Sequence, residues 1–358
     1  METSTLKLPQ WITLQLITSC NLRCKMCYEW GESGAYHSTK ASVLPIGTIR
    51  SIVEECAAQK PYYALFGGEP MMYPYLGEAI SAIREAGSRV DMPTNGMFLK
   101  KKAQLLCDHP PNRIWVSLDG PKAVNDAQRG QGVFDEVQEG MRVLGNLKKS
   151  RGQKEPAIGY TFIVTPLTYK YLEEFVTTCI DLDFVDHISI EFQTFITFDQ
   201  AERQRRFFKS MFGVPDTPCA QSLARNTLDF QAIDVEELVR QVSLTQKLCE
   251  ERGIYFVNYP KTISAKNYRA YFAKDLEGMD DRRQQCFFPW MYAEISASGE
   301  MTPCHTFYDY PVGNVNEQSL TSIWTGDKLA ALRTSLRENG LFPACSGCAR
   351  YYANPNRH

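Results

Sequence analysis

The sequence holds no apolar run long enough to cross a bilayer, no excess of either charge, and no repeated or low-complexity tract. The first absence excludes a helical membrane span. The second, a net charge of −2, removes any bulk electrostatic case for nucleic acid or an anionic membrane as partner. The start, METSTLKLPQWITLQLITSC, lacks a basic region, a long apolar core and a small-residue cleavage site. No signal peptide is therefore expected, and a cytoplasmic location is. In that reducing setting twelve cysteines require an explanation other than disulfides.

At 358 residues, 44% hydrophobic and 22% charged, the chain suits one large globular unit or a large domain with a small one. A core of that size needs no disulfide support. Short apolar runs alternate with amphipathic stretches. WITLQLITS (11–19) reads as a strand and IGTIRSIVEECAAQ (46–59) as the helix after it. Further strands are expected at 62–68, 88–96, 114–120, 157–166 and 187–195, with helices at 74–86, about 134–147 and 169–182. Six strands in this alternation imply parallel βαβ units, in a barrel or an open sheet.

Strand alternation puts Ile188, Ile190 and Phe192 on one face of the sixth strand and Ser189, Glu191 and Gln193 on the other. Ile114, Val116 and Leu118 likewise oppose Trp115, Ser117 and Asp119, and Thr13 and Gln15 share a face. A closed barrel ordinarily fills its lumen with branched apolar side chains. Polar groups there suit either a wet, functional lumen or satisfied core residues. From about 197 to 232 the chain reads as irregular and basic, although acidic neighbours make Arg203, Arg205, Arg206 and Lys209 a solvated helix face. An amphipathic helix (234–253), a strand (253–260) and a charged link (274–285) lead into the last quarter.

The cysteines fall in two groups. Cys20, Cys24 and Cys27 follow the first strand, and Cys286, Cys304, Cys345 and Cys348 gather near the end. Cys56, Cys107, Cys179, Cys219 and Cys249 are scattered and read as small buried hydrophobes. Three thiolates on one loop can hold three corners of an iron–sulfur cubane and leave one iron open. Structural zinc normally takes four ligands. The loop also lies at the C-terminal end of a strand, where α/β barrels place their chemistry.

The C-x3-C-x2-C spacing followed by Tyr28 resembles the signature of the radical S-adenosylmethionine (SAM) superfamily. That resemblance implies a [4Fe–4S] cluster on Cys20, Cys24 and Cys27, whose open iron binds the amino and carboxylate groups of SAM. Reductive cleavage of SAM would then give a 5′-deoxyadenosyl radical that abstracts a substrate hydrogen. Gly67-Gly68-Glu69 ends the second strand and resembles the family motif that engages the SAM ammonium. Thr94-Asn95-Gly96 and Ser117-Leu118-Asp119-Gly120 end the third and fourth strands, where family members contact the SAM carboxylate or ribose. Arg129 is expected to pair with the SAM carboxylate, and Tyr28 to lie by the adenine. The implied fold is α/β: a partial (β/α)6 TIM-like barrel with a small C-terminal α+β iron–sulfur domain. The expected organisation is a core at 10–230, a bridging helix and strand at 231–283, and the iron–sulfur domain at 284–358.

The last quarter, with Cys286, a Ser-Gly turn before Cys304, Gly-Asn and Ile-Trp landmarks, and Cys345-Ser-Gly-Cys348, resembles the SPASM/Twitch extension. Four cysteines imply one auxiliary [4Fe–4S] cluster, although four cysteines with a C-x2-C pair also fit zinc. Full ligation favours electron transfer. The expected activity is that of an oxidoreductase, dehydrogenase-like, on a small polar and sugar-like metabolite. Glu191 and Gln193 are the expected catalytic residues, and Tyr160 and Thr161 weaker candidates. An epimerase would need a thiol hydrogen donor, for which Cys219 is a candidate beside its reading as an inert loop thiol. Cys20 comes early for an N-terminal precursor-binding domain, which weighs against a peptide-modifying maturase. A non-catalytic iron–sulfur electron carrier or sensor is the alternative of another class. A flavodoxin or ferredoxin is the implied reductant.

Overall fold

A computed structural model describes residues 8–37, 39–280, 285–305 and 308–348. Ten strands form one sheet: β1 (Trp11–Gln15), β2 (Tyr62–Phe66), β3 (Val90–Thr94), β4 (Arg113–Ser117), β5 (Ala157–Val164), β6 (His187–Phe192), β7 (Tyr255–Tyr259), β8 (Tyr292–Ile295), β9 (Glu300–Thr302) and β10 (Gly313–Asn314). The order is β10-β9-β8-β1-β2-β3-β4-β5-β6-β7. From β8 to β7 every neighbouring pair is parallel, while β9 and β10 close the other edge antiparallel. The sheet is thus an open, partial α/β barrel whose six expected strands are all present.

Period-two burial builds it. Ile12 and Leu14, Tyr63 and Leu65, Ile114 and Val116, and Ile188 and Ile190 all point into the helical layer and are buried. Against them pack the apolar faces of helices Ile46–Cys56, Leu76–Glu85, Leu99–Asp108 and Val133–Ser150. Their burial is what turns a row of parallel strands into a stable layer.

Four elements show what the sequence expectation left open or missed. The strand expected at 253–260 enters the sheet as β7 beside β6, and β8 adds the C-terminal segment to the free edge of β1, with Trp11 opposite Tyr292. The helix expected at 169–182 breaks into short turns, Tyr169–Tyr171, Leu172–Glu174 and Phe175–Cys179. There Thr177 donates its hydroxyl to the Glu173 carbonyl at 2.7 Å, in a β-branched, aromatic stretch that favours a regular helix poorly. The stretch expected to be irregular contains a helix, Phe198–Phe212, opened by a capping box between Thr197 and Gln200. On it Arg203 pairs with Asp199, and Arg205 and Arg206 with Glu202, so its basic residues do form a solvated face. Among the described residues no helix is long and apolar enough to cross a membrane.

Candidate functional site

The cysteine loop leaves β1 and is laid directly on the glycines that end β2. Gly68 N–H donates to the Ile17 carbonyl at 2.7 Å and Glu69 N–H to the Ser19 carbonyl at 2.9 Å. A Cβ on Gly68 would stand 2.0 Å from the Ser19 carbonyl oxygen, and Gly67 has φ 124°. No side chain fits between the two segments, which explains the glycine pair. Cys20 Sγ accepts from Leu22 N–H at 3.5 Å, and Cys27 Sγ from Trp30 N–H at 3.2 Å. Burial pushes the Cys20 thiol up to about 12 and the Cys27 thiol to about 11. Deprotonation there needs a cation in the proton's place. Among the described residues no three His, Cys, Asp or Glu side chains converge as a single-ion site would require. Three thiols on one short loop are a donor set that fits three corners of an iron–sulfur cluster.

The motifs at the ends of β2 and β3 meet over this loop. Glu69 is 1% exposed, and burial raises its carboxyl. Its oxygens accept from Thr94 Oγ1 at 2.7 Å, Asn95 N–H at 2.8 Å and Met71 N–H at 3.0 Å. Asn95 Nδ2 donates to Asn21 Oδ1 at 2.9 Å and approaches Cys20 Sγ at 3.8 Å. Gly67, Gly68, Glu69, Thr94 and Asn95 therefore surround one side of the cysteine loop.

Asp119 and Arg129 were both expected to face the cofactor, and they bind each other. Asp119 is fully buried, with Arg129 Nε 2.6 Å from its Oδ2 and Arg129 Nη2 3.0 Å from its Oδ1. Gln128 Nε2 and Ile163 N–H donate to the same carboxylate at 2.5 and 2.8 Å. A buried carboxylate with this many donors holds β4, β5 and helix Lys122–Arg129 together. The link to the cluster loop is through backbone: Cys24 Sγ lies 3.8 Å from the Arg129 carbonyl. Ser117, half-buried, ends β4 opposite Thr161.

At the end of β6, Glu191 is half-buried and accepts from Ser189 Oγ at 3.1 Å. Gln193 is buried, and its backbone carbonyl accepts from Tyr271 Oη at 2.9 Å. Tyr160 turns away from the lumen: its hydroxyl donates to Gln138 on helix Val133–Ser150 at 2.8 Å, and its ring packs edge-on against Phe175. Its bulk belongs to the helical layer, which removes it as a catalytic candidate.

Cys286, Cys304, Cys345 and Cys348 are neighbours. Burial first, then the nearness of the other three, pushes the Cys345 thiol well above the thiol range. Cys56, Cys107 and Cys249 are buried within the helical layer, as expected of small hydrophobes. Cys219 is buried too, with its N–H donating to Asp309 Oδ1 at 2.9 Å; burial and Asp309 push its thiol up.

Sequence reasoning missed the polar cluster between the two cysteine groups. Glu294, in the middle of β8, is fully buried and accepts from Gln15 Nε2 at 3.0 Å, Tyr292 Oη at 2.5 Å and Tyr308 Oη. His305 Nδ1 lies 3.0 Å from its Oε2. Glu29 is buried nearby, with burial pushing its carboxyl up to about 7. Two signals were available: a carboxylate interrupting the apolar run MYAEIS, and a histidine directly after Cys304.

Set against known proteins, the family model of the radical SAM superfamily matches residues 14–179, and the SPASM iron–sulfur cluster-binding domain matches residues 286–349. A cofactor-modifying protein of Pyrococcus furiosus, associated with tungsten-containing aldehyde ferredoxin oxidoreductase, is 24% identical over 364 residues. The match covers 95% of this chain and 87% of that protein. Pre-heme d1 synthase of Dinoroseobacter shibae is 24% identical over 338 residues, 93% of this chain and 78% of that one. Among solved structures, Streptococcus suis SuiB bound to S-adenosylmethionine superposes with a TM-score of 0.65 at 16% identity, covering 96% of this chain and 72% of SuiB. That last likeness is one of fold.

Proposed function

We propose a dehydrogenation of a small polar molecule, on the premise that this chain belongs to the radical SAM superfamily and carries a SPASM iron–sulfur domain. Its cofactors are accordingly [4Fe–4S] clusters and SAM. When bound, they supply abstraction of a hydrogen atom from an unactivated carbon.

The observation that carries the reading is the docking of the Cys20–Cys27 loop on Gly67, Gly68 and Glu69, with Asn95 reaching Cys20 Sγ. Cys20, Cys24 and Cys27 would hold the first cluster. Glu69, Thr94 and Asn95 would orient SAM over it, with Tyr28 alongside. Glu69 is already held by Thr94 Oγ1 and by the Asn95 and Met71 N–H groups, so it would do this without reorganisation, which favours a fixed reacting geometry. The Asp119–Arg129 pair keeps the ends of β4 and β5 in register beneath that site.

Cys286, Cys304, Cys345 and Cys348 would hold the second cluster, whose full ligation suits electron transfer. A substrate that loses a hydrogen atom, a proton and an electron ends two hydrogens poorer. Glu191, half-buried at the mouth of β6, is the group we assign to receive the proton. The two relatives that match over nearly the whole chain are named for work on cofactors, which favours a cofactor precursor over a sugar.

The test is anaerobic turnover with SAM, dithionite and fractionated cofactor precursors in deuterated buffer. A product lighter by two hydrogens supports the assignment. A product of unchanged hydrogen count that carries solvent deuterium would make the enzyme an epimerase instead.

A further inference from the structure

Lys274 is a buried lysine that has no counter-ion among the described residues. It caps helix Ala265–Ala273 in the left-handed conformation, with φ 56°. It is 8% exposed, and its Nζ has no hydrogen-bond partner among the described residues. Nζ stands 3.6 Å from the centroid of the Phe195 ring and 3.9 Å from that of Tyr271. Burial alone pushes its amine well below the usual lysine range.

Those two rings place it at the mouth of the barrel. Phe195 lies just past β6, and the Tyr271 hydroxyl donates to the Gln193 carbonyl. On its far side Phe195 stacks on Phe230 with ring centroids 3.9 Å apart, which helps fix the ring under the amine. On the same stretch Arg225 N–H donates to the Ile196 carbonyl at 2.9 Å. The Arg225 guanidinium is half-buried and, among the described residues, donates to the Ser222 and Ala224 carbonyls; the Cys27 sulfur and the Asp229 carboxylate act on it from farther off. Among the described residues neither cation has a carboxylate at ion-pair distance.

Burying an unpaired ammonium costs several kcal/mol, of which desolvated ring faces return about 2. Ring faces favour the charged amine, an anion beside it would favour that form further, and none of the described residues supplies one. Neither cation has a role in the reaction described above.

We propose that Lys274, assisted by Arg225 across Phe195–Ile196, binds an oxyanion of the substrate, a carboxylate or a phosphate. The inference rests on the reading that a small molecule enters the C-terminal end of this barrel, and narrows that molecule to an anionic one. It also gives orientation: an anchor beyond β6 fixes one end of the substrate while Glu191 faces it from the same strand.

The experiment is calorimetric titration of the cluster-loaded enzyme, with SAM present, using pyrophosphate and citrate as separate probes. Saturable binding of pyrophosphate alone assigns a phosphate site, of citrate alone a carboxylate site. Lys274→Met should weaken the bound probe about tenfold or more, and Lys274→Arg should retain it. Arg225→Gln repeats the test without disturbing the Lys274 turn, and iron content and circular dichroism check each variant's fold. Neither probe binding the wild type, or Lys274→Met binding as the wild type does, overturns the site. Binding is read without turnover, so its failure leaves the proposed reaction standing; absence of SAM cleavage in the wild type does the reverse.

Discussion

Tyr28 Oη and His305 Nε2 stand 2.8 Å apart, and this contact joins the residue after Cys27 to the residue after Cys304. His305 passes the connection to Glu294, which collects Gln15, Tyr292 and Tyr308 around one buried carboxylate. Burial works against that charge, but His305 and the phenols outweigh it and hold Glu294 at about 2. The two cysteine groups are therefore fixed relative to each other by a charged network inside the sheet.

Breaking the network at its centre should cost most. Glu294→Ala leaves His305 and three donors without their acceptor, and is expected to lower unfolding free energy by about 3–5 kcal/mol. Tyr28→Phe removes one hydrogen bond at the rim, for about 1 kcal/mol. Urea unfolding of the anaerobic, cluster-loaded protein measures both. A Glu294→Ala loss no larger than that of Tyr28→Phe contradicts the network as described.

Asp119 and Arg129 make a second buried pair, and removing one partner strands the other. Asp119→Asn and Arg129→Met should each destabilise the protein by about 3 kcal/mol or more. The double variant should lose less than the sum of the two, since each single change leaves an uncompensated charge. Strict additivity in the same urea series argues that the two side chains act separately.

Gly68→Ala tests the docking of the cysteine loop. A methyl group 2.0 Å from the Ser19 carbonyl forces that loop off β2. Iron content after reconstitution should fall by roughly half, because the C-terminal thiols stay in place. Full iron content with normal SAM binding would show that the contact is dispensable.

His187 gives the fold a pH dependence of known sign. It is buried beneath Trp115, its Nε2 3.1 Å from the Ile114 carbonyl, and burial followed by Arg113 pushes it down to about 4. The carbonyl can only accept, so the neutral ring donates from Nε2. In the unfolded chain the ring takes up its proton near pH 6.5, so between that value and about 4 the unfolded state binds more protons. The contribution is complete above about pH 6.5 and is lost as pH falls, reaching about 2 kcal/mol by pH 5. His187→Gln should flatten this acid limb in urea midpoints taken from pH 7 to pH 5; an unchanged slope contradicts the assignment.

Local chemistry was legible in the chain, and long-range pairing was not. Cys20, Cys24 and Cys27, the Gly67-Gly68-Glu69 run and Thr94-Asn95 could be placed because each follows a strand with clear two-residue alternation. The helix Phe198–Phe212 was legible in principle, through Thr197 and Gln200, but its charged surface obscured the apolar face. Nothing near Gln15 signals that β8 will pair with β1, since Glu294 lies 279 residues away. Asp119 and Arg129 carry the right chemistry to meet a zwitterionic cofactor. Only the packed structure shows that they meet each other first.

The central claim is that Cys20, Cys24 and Cys27 hold the cluster that cleaves SAM. Its most direct test is 5′-deoxyadenosine formation, read by mass spectrometry after anaerobic reconstitution with SAM and dithionite. The wild type should accumulate it, while the variant with all three cysteines changed to alanine should make none and still retain iron and sulfide at the C-terminal cysteines. Equal 5′-deoxyadenosine from both proteins, or none from a fully loaded wild type, would contradict the account.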